Sequence, residues 1–241
     1  VKKATGIIPA RYAATRFPGK PLAKIAGKWM IQRVYEQALK AKFLQQIIIA
    51  TDDERIFSAA QTFGADVRMT SPDHESGTER VAEVAKGVES PIIINIQGDE
   101  PLLQGSMIDD LIETLQDSSI AMATLASRVK DLDRIHDPNI VKVVTDKNGS
   151  ALYFSRSPLP SRPSDHFLQH IGIYGYQKEF LLTFHTLPFS RLEATEGLEQ
   201  LRVLESGHKI KIVTTSFTTL SVDNPQDIMA VEKLIQKDTN D

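Results

Sequence analysis

The sequence predicts an α/β fold in which a parallel sheet, covered by helices on both faces, is followed by a smaller hairpin-containing lobe. Three observations predict it. Short apolar runs alternate with amphipathic stretches in the first half, a strong turn signal separates two apolar runs in the second, and 241 residues suit one large α/β unit with an appended lobe. Residues 5–9, 46–50, 67–70 and 91–97 read as strands, and 29–41, 54–63 and 78–88 as the helices between them. In such sheets ligands bind at the carboxyl ends of the strands, so the loops there are the place to look for chemistry. Further on, residues 140–145 and 151–155 flank a turn with Asn148-Gly149 at its centre, which reads as a hairpin. Residues 169–176 and 209–215 read as strands, and 195–206 as a helix closed by Gly207. The last helix is expected to begin near Pro225 with Asn224 as its cap. The expected organisation is a single domain over 1–241, with a core mainly in 1–125, a lobe at about 126–208, and a strand and helix in 209–241 returning to the core.

Composition narrows the function classes. With 28 basic and 31 acidic residues the net charge is −3, so no general field for nucleic acid is expected and any anion must be gripped locally. The absence of cysteine removes thiolate nucleophiles, disulfides and Cys-based metal sites together. The longest apolar runs are far too short to cross a bilayer, and the first residues lack the apolar core of a secretion signal, so a cytoplasmic location without membrane contact is expected.

Three segments carry candidate chemistry. The loop after the first strand, PARYAATRFPGKPL, brings Arg11, Arg16 and Lys20 within ten residues. Taken alone it reads as a solvated basic loop; placed at the ligand edge of a sheet, with Gly19 allowing close backbone approach, it suits a triphosphate. It matches neither the Walker A pattern nor the GxGxxG fingerprint, which removes the main support for P-loop and dinucleotide readings. In QGDEP, Asp99 follows an apolar strand directly and is either a hard-cation ligand or a turn cap; Asp223 is either its partner or a helix-entry cap. Two carboxylates are enough for Mg²⁺, whose remaining ligands are commonly water and phosphate oxygens. Between these lies SGTER, residues 76–80, where a helix start favours an anion or nucleotide and Ser76 with Glu79 also reads as a capping box.

The segments ARYAATRFPGKPL, SGTERVAEV, QGDEP, ALYFSR, HIGIYGY, LEQLRVLE and VDNPQD stand in one order at compatible spacing. Over residues 5 to about 236 the chain closely resembles the 3-deoxy-manno-octulosonate cytidylyltransferases, the CMP-Kdo synthetases. The resemblance implies a Rossmann-like nucleotidyltransferase sheet, a homodimer formed largely through the smaller lobe, and a role in lipopolysaccharide assembly. It also implies an Mg²⁺-dependent reaction of CTP with 3-deoxy-manno-octulosonate to CMP-Kdo and pyrophosphate. By the same resemblance Arg11 and Lys20 meet the triphosphate, and Ala10, Ser76, Gly77 and Arg80 complete the nucleotide site. Asp99 and Asp223 form the metal pair, and Gln97, Arg156, His170, Tyr174, Glu199 and Gln200 form the sugar site. Alternation in HIGIYGY supports part of this, because His170, Gly172, Tyr174 and Tyr176 share one face of an extended strand. Two bland alternatives stay open, a core histidine at 170 and a Glu199–Arg202 pair on one helix face. Ala14 stands where the family commonly has Ser, residues 157–168 are shorter than usual, and Ser221 replaces a common Gly. The rival readings are a nucleotidyltransferase for another acid sugar, such as a sialate or an 8-amino analogue, and a noncatalytic nucleotide-binding subunit.

Overall fold

The computed structural model describes residues 2–13, 17–217 and 219–240. Arg16 and Ala14 lie outside the described residues. The chain divides into two compact units, Lys2–Asp109 with Thr219–Asp241, and Asp110–Thr218.

The first unit runs β1 (Ala4–Ala10), a minimal hairpin β2 (Lys24–Ile25) and β3 (Lys28–Trp29), α1 (Met30–Ala38), β4 (Leu44–Thr51), α2 (Glu54–Thr62), β5 (Asp66–Met69), α3 (Gly77–Lys86), β6 (Ile92–Asn95) and α4 (Gly105–Thr114), the last carrying the chain into the second unit. Its strands lie in the order β6-β1-β4-β5, all parallel. That is the arrangement the alternating sequence predicts. β6 is buried at every residue and β1 at all but Pro9, as expected of parallel strands covered on both faces. α1 buries Met30, Ile31, Val34 and Ala38, one stripe at helical spacing. α2 is capped by Asp53, whose carboxylate accepts from Arg55 N at 2.9 Å.

The second unit holds β7 (Met122–Val129), β8 (Lys142–Thr145), β9 (Ala151–Ser155), β10 (Phe167–Gln177), α5 (Lys178–Thr183), α6 (Arg191–Glu196), α7 (Gln200–Glu205) and β11 (Lys211–Thr215). β11 runs parallel to β7, and β7-β10, β10-β8 and β8-β9 are antiparallel pairs. β8 and β9 are the expected hairpin, its turn held by Asp146 Oδ1, which accepts from the N–H groups of Asn148 and Ser150 at 2.8 Å each. Lys142 is fully buried because its ammonium donates to three carbonyls, Asp137 at 3.0 Å, Ile140 at 2.8 Å, and Arg156.

Several elements differ from the sequence reading. The single helix expected over 195–206 is two, α6 and α7, because Gly197 adopts the left-handed conformation at φ 64° and ends the first. The final helix, α8 (Asp227–Asn240), begins two residues after Pro225. At its entry Asp227 N donates to Asn224 O at 3.0 Å, and the Asp227 carboxylate accepts from Asp223 N at 2.9 Å and Asn224 N at 2.8 Å. The change of unit falls after Asp109, earlier than residue 125, and β11 stays with the second unit while α8 belongs to the first. β7 and α4 had no counterpart in the sequence reading. Among the described residues, no helix is long and apolar enough to cross a membrane.

Candidate active site

β1 and β6 are parallel neighbours, so the chain leaves both at one sheet edge. A cleft of about 330 Å³ opens there, lined by Ala10, Arg11, Lys20, Ser76, Gly77, Arg80, Gln97, Asp99 and Asp223. These are all the first-unit residues that the resemblance assigns to the nucleotide, metal and sugar sites, whereas Arg16 lies outside the described residues. Two glycines shape the approach. A Cβ on Gly98 would stand 3.0 Å from the Pro9 carbonyl oxygen, so a larger residue would push the QGDEP segment a few tenths of an ångström away from β1. Gly19, at φ 71°, packs against the Tyr12 ring and turns the loop so that Lys20 begins a single 3-10 turn.

The two carboxylates reach each other through the backbone: Val222 N donates to Asp99 O at 3.0 Å, which brings Asp223 alongside. The Lys20 ammonium sits between them, 2.6 Å from Asp99 Oδ2 and 4.0 Å from Asp223 Oδ1, and donates to Val222 O at 3.0 Å. Lys20, read from the sequence as a phosphate ligand, is thus balanced by the carboxylates read as a metal pair. The donor set fits Mg²⁺: two hard oxygen ligands, 27% and 36% exposed, at the mouth of a cleft open to water and phosphate oxygens. Among the described residues, no group of three or more His, Asp or Glu is arranged around one point.

Behind the pair lies Glu100, which is buried and whose Oε2 has no hydrogen-bond partner among the described residues. Burial, reinforced by the neighbouring Asp99 charge, pushes its carboxyl up to about 8. Arg80, which the resemblance assigns to the nucleotide site, lines the cleft while its guanidinium is engaged by protein partners. It is 3% exposed, with Nη2 on Asp52 Oδ2 at 2.8 Å and Nη1 donating to Thr70 Oγ1 and, at 3.4 Å, to Ser71 O. The Ser76 cap is present, its Oγ accepting from Glu79 N at 3.2 Å, but the Glu79 carboxylate accepts from Glu75 N at 2.9 Å instead of closing the box on Ser76. The sequence reading missed His74, which also lines the cleft. Its position two residues before the Ser76 cap was the available signal.

The remaining candidates lie in the second unit. His170, Tyr174 and Tyr176 project to one side of β10, with ring centroids 5.5 and 6.3 Å apart along the row. A bulge between Ile171 and Tyr174 adds two residues and so preserves the alternation, and the Thr124 hydroxyl fills it, 2.8 Å from Ile173 O and 3.2 Å from Ile171 O. That hydroxyl is also 3.0 Å from His170 Nε2, and burial pushes the imidazole down to about 3, so the ring is neutral. The Tyr174 hydroxyl donates to Gln200 Oε1 at 3.3 Å, while buried Gln200 Nε2 has no partner among the described residues. Glu199 stands at the N-cap position of α7 without a side-chain cap hydrogen bond, and the Arg202 guanidinium forks Glu193 at 2.6 and 2.8 Å. Arg156 is held by Glu196, whose carboxylate accepts from Arg156 N at 3.0 Å, and its Nη1 donates to Pro138 O at 3.1 Å.

The cytidylyltransferase family profile matches residues 5–210. A 3-deoxy-manno-octulosonate cytidylyltransferase of Solibacter usitatus is 51% identical over 240 residues, covering 98% of this chain and 95% of the relative. The protein of that name from Geobacter metallireducens is also 51% identical, over 248 residues, covering 96% and 98%. A solved structure of CMP:2-keto-3-deoxy-manno-octonic acid synthetase complexed with CTP superposes with a TM-score of 0.93 at 41% identity, covering 98% of this chain and 99% of that one. A likeness of that extent in both sequence and backbone makes the chain a member of the cytidylyltransferase family, among the 3-deoxy-manno-octulosonate cytidylyltransferases.

Proposed function

We propose that the chain joins CTP to 3-deoxy-manno-octulosonate, the anomeric hydroxyl of the sugar attacking the α-phosphorus and pyrophosphate leaving. The observation that carries this reading is the strand-end cleft in which Lys20 lies between Asp99 and Asp223, beside the N-terminus of α3. Transfer at phosphorus depends mainly on alignment and charge stabilisation, and a cleft with cations and two carboxylates suits it. Backbone groups at Ala10 and around Ser76 and Gly77 are assigned to the cytosine base. Arg11 and Lys20 are assigned to the triphosphate, Lys20 exchanging a carboxylate for a phosphate oxygen as the nucleotide enters. Mg²⁺ held by Asp99 and Asp223 would lower the pKa of the sugar hydroxyl and neutralise charge on the α-phosphate. In the second unit, Arg156 is assigned to the sugar carboxylate, with His170, Tyr174, Glu199 and Gln200 on the hydroxyls. A neutral His170 supports this, since it can donate to or accept from a polyol without adding charge. The proposal includes a cytoplasmic homodimer joined through the second unit, where Leu152 and Phe189 are 61% and 81% exposed, and a product used in lipopolysaccharide assembly.

The test is a pyrophosphate-release panel crossing the four nucleoside triphosphates with several acid sugars, with and without Mg²⁺. Release is expected with CTP and 3-deoxy-manno-octulosonate and lost in EDTA. Faster turnover of a sialate or an 8-amino octulosonate would reassign the sugar, and no release with any pair would make the chain a nucleotide-binding subunit.

A further inference from the structure

We infer that His74 is a positioning residue for the nucleotide, acting through Glu83 on α3. The inference rests on the nucleotide reading of the cleft and adds a residue that this reading does not use. Residues 71–76 belong to no helix or strand, yet through His74 and Ser76 they contribute to one wall of the cleft. A wall of irregular backbone holds its shape only as well as its side-chain ties do. Here the ties converge on two carboxylates one turn apart on α3. Glu83 Oε2 accepts from Ser71 N at 3.0 Å and is hydrogen-bonded to His74 Nε2, and Glu79 Oε2 accepts from Glu75 N at 2.9 Å. His74 Nδ1 lies 3.9 Å from that same Glu79 oxygen, so both ring nitrogens face carboxylates of α3. From the buried side, Arg80 donates to Ser71 O at 3.4 Å. The ends of the segment are thus fixed through backbone groups, and its middle is fixed through one ring, which is also the part of 71–76 upstream of Ser76 that lines the cleft. Glu83 is the common partner of the first tie and the middle one. Losing the His74–Glu83 contact frees the wall beside Ser76 and Gly77 while leaving α3 and its Ser76 cap in place.

The experiment measures CTP dissociation constants by calorimetry on the full chain, together with melting temperatures and KM for the acid sugar. His74→Ala and Glu83→Ala are expected to weaken CTP binding about 5- to 30-fold, with the sugar KM within twofold of the parent. Glu83→Gln, which still accepts from Ser71 and His74, is expected to recover CTP binding to within about threefold. The double alanine variant is expected to be no weaker than the weaker single one, because Glu83→Ala already removes the tie that His74→Ala removes. Unchanged CTP binding in a folded His74→Ala overturns the inference. So do additive losses in the double variant, which make His74 a direct contact independent of Glu83. If His74→Ala does not fold, Glu83→Ala and Glu83→Gln carry the test, and equal CTP affinity in those two overturns it. Because CTP binding is read without turnover, a chain that binds CTP but makes no product separates failure of the proposed reaction from failure of this inference.

Discussion

The two polar clusters of this molecule are held together by opposite means. In the first unit charges balance charges: Lys20 lies between Asp99 and Asp223, and Arg80 is buried against Asp52. Along the β10 row of the second unit the ring groups are kept neutral: His170 is pushed down by burial, Tyr174 is pushed up mainly by burial, and both sit in a row of rings with Thr124 and Gln200 as hydrogen-bonding partners. The difference matches the two proposed substrates. A triphosphate and a divalent cation exchange ion pairs for ion pairs, at small net desolvation cost. A polyol exchanges hydrogen bonds for hydrogen bonds, and a neutral lining avoids the cost of burying an unpaired charge.

The sharpest way to break this comparison is to remove one charge from the balanced cluster. Asp99→Asn or Asp223→Asn is expected to lower turnover by at least about 10²-fold, since each 1.36 kcal/mol of lost transition-state stabilisation is tenfold in rate. Asparagine keeps the shape, so circular dichroism should be unchanged. Near-normal turnover in either variant would end the metal assignment. A smaller and paired effect separates the clusters by substrate. Lys20→Met is expected to lower kcat/KM for CTP roughly 10- to 100-fold, the loss of one charge-assisted contact of about 1.5–3 kcal/mol, with sugar affinity little altered. Arg156→Lys is expected to do the reverse by about tenfold, because an ammonium cannot reproduce a two-bond fork on a carboxylate. Steady-state constants for both substrates in both variants decide it. Normal sugar kinetics in a folded Arg156→Lys would move the carboxylate to another residue.

The comparison also explains what could be read in advance. The cleft was legible because its residues come from loops that follow strands, where ARYAATRFPGKPL and QGDEP print strand end, glycine and charge in sequence. Its pairing was not legible: that Lys20 would rest on Asp99, 79 residues away, depends on how Val222 hydrogen-bonds to Asp99. Arg80 was assigned to the nucleotide by resemblance alone, and nothing local in SGTER announced that its guanidinium would pair with Asp52, 28 residues away. In the second unit alternation correctly put His170 and Tyr174 on one face, and it survived a bulge only because two residues were inserted. β7 was missed because small and polar residues separate its apolar Met122, Leu125 and Val129, so no alternation shows and its strand state is set by its neighbours β10 and β11. The break at Gly197 was missed because a glycine inside helical spacing does not announce whether it is tolerated or ends the helix.

The smallest expected effect sharpens the comparison through pH. His170 has its folded pKa depressed from 6.5 to about 3, so between those values the unfolded chain binds a proton that the folded chain does not. Its contribution to stability is therefore fully present above 6.5 and is lost as pH falls toward 3. Glu100 has its folded pKa raised from 4.5 to about 8, so between those values the folded chain binds the extra proton. Its contribution is present below 4.5 and is lost as pH rises toward 8. The two windows overlap from 4.5 to 6.5, where the slopes oppose each other, each bounded by about 1.4 kcal/mol per pH unit. In metal-free buffer the parent should thus show a partly cancelled slope of melting temperature in this range. His170→Gln removes the rising part, so melting temperature should fall more steeply, or rise less, with pH than in the parent. Glu100→Gln removes the falling part and should shift the slope the other way. Subtracting the parent curve cancels every other titrating group that the substitution leaves alone, so the sign of each difference is the readout. Equal slopes in His170→Gln and the parent would mean that His170 titrates alike in both states, and the second cluster would then not be the neutral lining described for it.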